Sequence, residues 1–100
     1  MEIDSLEEVR VNIDRIDREI VRLMGERGRF VKEAARFKSS MADVEAPARV
    51  QIVIEKVRSL AIAHALSPDV AEAAYRAMIS AFIKVEADEF ERETHDRPLA

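Results

Sequence analysis

Apolar residues recur at helical spacing along the first third of the chain. Leu6, Val9, Ile13, Ile16, Ile20, Leu23, Met24, Phe30, Val31 and Ala34 follow one another with no proline between them. Ser5 is a good N-cap, and Glu7 and Glu8 place acids in the first turn, where the helix dipole favours them. The pattern predicts one helix from Ser5 to about Lys38, some ~33 residues and ~50 Å long. A helix of that length cannot fold back on itself in a chain of 100 residues, so it is expected to be shared with a partner. The polar, short-chained stretch from Ser39 to Ala46 predicts a break, a loop placed to close over whatever lies beyond Lys38. Pro47 then opens a second helix, to about Ala65, with Val50, Val53, Ile54, Val57, Leu60 and Ala61 as its apolar positions. Ser67 and Pro68 read as N-cap and first position of a third helix, to about Glu93, with a frayed tail from Thr94. The expected fold is all-α: a three-helix protomer with a long first helix, in one domain spanning residues 1–100.

Composition agrees with this reading. Hydrophobic residues make up 48% of the chain and there are only two glycines and three prolines, which suits a helix-rich globular domain. A core this small is only modestly stable alone, so association between subunits would help it. The net charge of −4 argues against nonspecific nucleic-acid binding, which needs a basic face. The absence of cysteine removes disulfides and thiolate metal sites. No apolar run approaches the ~20 residues of a membrane span, and the start lacks the pattern of a signal peptide. A cytoplasmic protein with no membrane partner is expected.

The informative charges are those that break the pattern. With Arg10 at zero and about 100° per residue, Ile13, Ile16, Ile20, Leu23, Val31 and Ala34 cluster between about 220° and 300°. Arg27 falls near 260° and Lys38 near 280°, in the middle of that stripe. Cations on an apolar seam are costly unless an anion meets them. They either pair with acids on other helices, snorkel to the surface, or bind an anionic ligand. Gly25 and Gly28 flank Arg27, and could admit a close helix crossing or a ligand. On the third helix Tyr75, Ile79, Phe82, Ile83 and Phe90 share a face with Glu86 in its middle. A carboxyl in apolar surroundings is either protonated, and then a hydrogen-bond donor, or half of a buried ion pair with Arg27, Lys38 or Arg49. Arg49 sits in the first turn of its helix, poorly placed for a cation, and a salt bridge to Glu45 would explain it. Arg10 lies at the edge of the stripe, roughly 26 Å from Arg27 and 42 Å from Lys38 along a straight helix. One small ligand cannot touch all three in one chain. If Arg10 serves the site, it does so from an antiparallel partner.

These residues describe a cationic, partly buried pocket with one carboxyl, suited to a small polyanion. No nucleophile has a base near it in sequence, and His64 and His95 form no metal-ligand pattern. No glycine-rich phosphate loop is present. The chemistry, if any, rests on positioning and electrostatics, with no metal and no cofactor.

The stretch VRVNIDRIDREIVRLMGERGRFVKEAARFKSS resembles the first helix of the all-helical chorismate mutases, whose pattern is an arginine, an Ile/Leu-Asp pair, a second arginine, and a lysine near the helix end. Here these are Arg10, Ile16-Asp17, Arg27 and Lys38, and the resemblance extends from about Ser5 to Arg92. It implies an intertwined homodimer acting on the dianion chorismate, which rearranges to prephenate with no covalent intermediate. It further implies that Arg27 and the partner's Arg10 bind the two carboxylates. Lys38 would reach a carboxylate and the ether oxygen, Glu86 would meet the same oxygen, Arg49 would border the pocket, and Val50 and Ile83 would line it. Ala46 and Val50 stand where many family members carry acids that bind the ring hydroxyl. In this and in the APARV segment the chain is similar to the isochorismate pyruvate lyase branch, which forms salicylate and pyruvate. Glu86 stands where many bacterial members have Gln. A glutamate must be protonated to donate to the ether oxygen, so activity is expected to fall as pH rises through its titration. A non-catalytic helical dimer that binds a partner is the remaining alternative.

Overall fold

The structure is a computed structural model that describes residues 5–96, with side chains for residues 5–92. It contains three long helices and one short one, and no strand among the described residues: α1 (Leu6–Ala35), α2 (Met41–Glu45), α3 (Pro47–Ala63) and α4 (Pro68–Asp96). The all-α architecture follows the sequence pattern. Ser5 caps α1 as expected, its hydroxyl accepting from the Glu8 N–H at 3.1 Å. Ser67 accepts from the Val70 N–H at 3.4 Å at the start of α4.

Several boundaries differ from expectation, the smallest difference being the end of α3 at Ala63 and not at about Ala65. First, α1 ends at Ala35 and not at Lys38; the N–H groups of Phe37 and Lys38 bond back to the carbonyls of Ala34 and Ala35, tightening the exit. Second, the expected loop contains a helix. Ser40 caps α2 by accepting from the Asp43 N–H at 3.2 Å, and Asp43 Oδ2 accepts from the Ser39 N–H at 3.1 Å and the Ser39 hydroxyl at 2.8 Å. Ser40 and Asp43 stand at the spacing of a Ser-x-x-acid capping box, with the acid accepting from Ser39, one residue before the cap. The Ser39 hydrogen bonds hold the Asp43 carboxyl below its ordinary value. Its folded value being lowered, the cap is complete from about pH 5 upward and is lost only as pH falls through that lowered value. α4 continues past Thr94 to Asp96, and the remainder of the expected frayed tail lies outside the described residues.

α3 and α4 form a hairpin around the core of Val57, Ala61 and Ala71, with Val53 and Tyr75 packed against it. Arg58 clamps the two helices from outside, meeting Asp69 at 3.0 Å and Glu72 at 2.8 Å, while Arg76 holds Glu72 at 2.7 Å. The turn between them closes with the Leu66 N–H on the Ala61 carbonyl at 2.8 Å and places Ala65 at φ 57°. That is a left-handed helix cap, normally glycine. Ala65→Gly is therefore expected to stabilise the chain by about 1 kcal/mol, read as a higher midpoint in urea with unchanged slope.

α1 behaves differently. It is 30 residues long and has no buried residue. Ile13, Ile16, Ile20 and Leu23, the centre of its apolar stripe, are each 45–51% exposed. The molecule is correspondingly elongated, 67 × 25 × 15 Å. An apolar face that long and that open marks an interaction surface.

Candidate active site

The C-terminal end of α1, the turn after it at Lys38, the C-terminal end of α2, the start of α3 and the middle of α4 line an open cavity of about 310 Å³. Arg27, Lys38 and Arg49 bring three cations to it, and Glu45 and Glu86 two carboxyls. The walls are apolar: Phe30, Val31 and Ala34 from α1, Val44 from α2, Val50 and Val53 from α3, Ile79, Phe82 and Ile83 from α4. Six of the seven residues read from sequence as site residues thus converge on one cavity. The seventh, Arg10, is exposed on the far part of α1 and does not line it.

Each side chain is placed by its element. Ile79, Phe82, Ile83 and Glu86 follow at spacings of three and four, so one face of α4 supplies all of them. Glu86 is 6% exposed and is the one buried charged residue among those described. Its Oε2 accepts from Lys38 Nζ at 3.2 Å. Of the two sequence readings of Glu86, the ion pair is thus formed, and with Lys38. Lys38 reaches it because α1 stops at Ala35; the short turn that follows swings the lysine across to α4.

Arg27 makes no ion pair among the described residues. Its guanidinium carbon lies 5.8 Å from the centre of the Tyr75 ring, a cation–π contact that holds it over an aromatic face without neutralising it. The bridge expected between Arg49 and Glu45 is not formed. Glu45 ends α2 and Arg49 lies in the first turn of α3, and between them Ala46 turns the chain at φ 37°, so the two charges line the same cavity from different helices. The cavity therefore holds one satisfied ion pair, two arginines and one further carboxylate, a net positive excess within apolar walls.

Sequence reading missed the contribution of α2, which packs through the buried Val44 and supplies Glu45. The signal was present in the Ser40 and Asp43 spacing of a capping box. The part of Tyr75 is a second omission: its spacing puts it on the face of Glu86 and gives no sign of its contact with Arg27. Among the described residues no group of His, Cys, Asp and Glu could hold a metal ion, and no helix is long and apolar enough to cross a membrane.

Such a cavity, net positive and set among helices, can take a compact anion among fixed charges. Comparison with known proteins adds a family: the family model for chorismate mutase type II matches residues 9–87, and the chain belongs to that family. All seven candidate residues lie within the matched span. Isochorismate pyruvate lyase of Pseudomonas aeruginosa is 46% identical over 50 residues, which are half of this chain and half of that protein. The chain spans about half the length of this curated relative in that match.

Proposed function

We propose that this chain is a cofactor-free mutase that rearranges chorismate to prephenate, in a homodimer with two sites. The observation that carries the reading is the Lys38–Glu86 pair, a cation and a buried carboxyl side by side in an apolar, net-positive cavity. The substrate is a dianion. Arg27 takes one carboxylate, and Arg10 of the partner subunit takes the other across the dimer. Lys38 meets a carboxylate and the ether oxygen, and Arg49 borders the pocket. The reaction breaks the ether C–O bond while a C–C bond forms from the enolpyruvyl methylene to the ring, so no atom is gained or lost. Negative charge grows on the ether oxygen as its bond lengthens, and Lys38 is placed to stabilise it. Val50, Ile79, Phe82 and Ile83 hold the ring in a compact pose and keep water out.

The open apolar face of α1 supports the dimer. An antiparallel second copy would bury that face and carry its Arg10 toward Arg27 and Lys38.

Glu86 has two tasks in this scheme. It pairs with Lys38 when the site holds no anion, and it donates to the ether oxygen when a substrate carboxylate takes over the lysine. Glu86→Gln, whose amide also donates, is expected to keep the activity, and Glu86→Leu, which has no donor, to lose it. Equal activity of Glu86→Leu and the unaltered chain contradicts this role of Glu86.

A second reading has its own support. Ala46 and Val50 give the cavity an apolar edge where a ring hydroxyl would need a partner, and the Pseudomonas relative is named an isochorismate pyruvate lyase. In that reaction the same ether bond breaks while a ring hydrogen passes to the methylene, yielding salicylate and pyruvate. The test is a parallel assay of the purified chain with chorismate and isochorismate. Prephenate as the dominant product supports the mutase; salicylate as the dominant product replaces it with the lyase; neither product overturns both.

A further inference from the structure

Gly28 and Gly25 sit one turn apart on α1, and their surroundings differ. A Cβ built at Gly25 meets nothing within 4 Å, whereas one at Gly28 falls 2.9 Å from Phe82 Cε1 and 3.1 Å from Phe82 Cζ. The Phe82 ring therefore lies on the bare backbone of α1, closer than any side chain at position 28 permits. Phe82 lines the site cavity on one side and, on the other, an apolar groove of about 460 Å³ between α1 and α4 that Met24, Gly25 and Val85 also line. It stands one turn before Glu86, and Gly28 stands next to Arg27.

We propose that Gly28 is a positioning residue of the site: it is the seat of the Phe82 ring, and this contact sets both the free space in the cavity and the spacing of α1 from α4. The inference rests on the proposed function for its kinetic consequence. A methyl group at position 28 has two ways to be accommodated near the site. The ring tips into the cavity and takes room from the substrate, or α1 lifts from α4 and carries Arg27 away from Glu86. Retreat of the ring into the rear groove would spare the site. That outcome is distinguished by Gly28→Ala kinetics equal to those of Gly25→Ala.

The experiment compares Gly25→Ala, Gly28→Ala, Phe82→Leu and the double variant Gly28→Ala/Phe82→Leu in the full chain. Each is measured for turnover of chorismate and isochorismate and for urea unfolding. Helix propensity alone favours alanine at both glycines, so Gly25→Ala is expected to match or exceed the unaltered chain in stability and to leave kcat/KM unchanged. Gly28→Ala is expected to lower kcat/KM by about tenfold or more, with the larger part in KM, since small displacements near a site have large kinetic effects. In the Phe82→Leu background, where the ring is gone, the same glycine change is expected to have no further effect on kinetics and to raise stability as Gly25→Ala does. Gly28→Ala kinetics equal to those of Gly25→Ala, or a loss that persists without the ring, overturns the inference. If the unaltered chain turns over neither compound, the functional reading fails by itself. The seat is then judged by unfolding: Gly28→Ala less stable than Gly25→Ala, with the deficit cancelled by Phe82→Leu, sustains it, and equal stabilities refute it.

Discussion

Replacing Lys38 with Met is expected to lower kcat by about 10²–10³-fold, the usual effect of removing one preorganised donor from a developing oxyanion. The substitution keeps much of the aliphatic stem and deletes only the charge. It also strips Glu86 of its one hydrogen-bonding cation, at 3.2 Å, in a position only 6% exposed. A stability loss of about 1–3 kcal/mol should accompany the loss of rate. The two effects can be separated. In Lys38→Met/Glu86→Gln no buried carboxylate remains to be orphaned, so stability should recover toward that of the unaltered chain. The rate should not recover, because the cation at the ether oxygen is still missing. A double variant that regains both would make the pair structural and remove Lys38 from the chemistry.

Arg27→Ala is expected to act differently. The guanidinium makes no ion pair among the described residues, and its contact with the Tyr75 ring is worth about 0.5–1 kcal/mol. Removing it should therefore leave the chain folded, with little change in urea midpoint. Turnover should fall about a hundredfold or more in kcat/KM, largely through KM, because a desolvated carboxylate of the substrate loses its partner. Circular dichroism and steady-state kinetics on one preparation decide the point. Collapse of the fold with the substitution would mean that Arg27 is a structural cation after all. Tyr75→Leu should give a weaker version of the same phenotype, since it removes only what holds the guanidinium in place.

Much of the site was legible because its charges violate the helical pattern around them. Arg27 and Lys38 fall inside the apolar stripe predicted for the first helix, and Glu86 inside that of the last, where it is the one buried charge among the described residues; a charge among apolar positions is unusual enough to signal a site. The three long helices were equally legible from their caps and prolines. What was not legible depended on tertiary choices. No glycine or proline marks the end of α1 at Ala35, and the apolar period continues to Lys38; the helix stops where Ser39 and Ser40 close the cap of α2 with Asp43. Ala46 and Ala65 adopt left-handed conformations that alanine does not advertise. The partner of Glu86 was left open among three cations because sequence spacing cannot say which helix end swings toward α4. The Arg49–Glu45 bridge, inferred from nearness in sequence, fails because Ala46 sends the two residues onto different helices.

The central claim is that one active site takes Arg27, Lys38 and Glu86 from one copy and Arg10 from another. It is tested most directly by mixing two inactive variants. Arg10→Ala and Arg27→Ala should each be nearly inactive alone. Unfolded together and refolded in equal amounts, they should regain roughly a quarter of the unaltered activity, because half of the dimers are mixed and each mixed dimer holds one intact site. No recovery on mixing, with mixed dimers demonstrated by mass, or full activity of Arg10→Ala alone, would contradict a site built across two subunits.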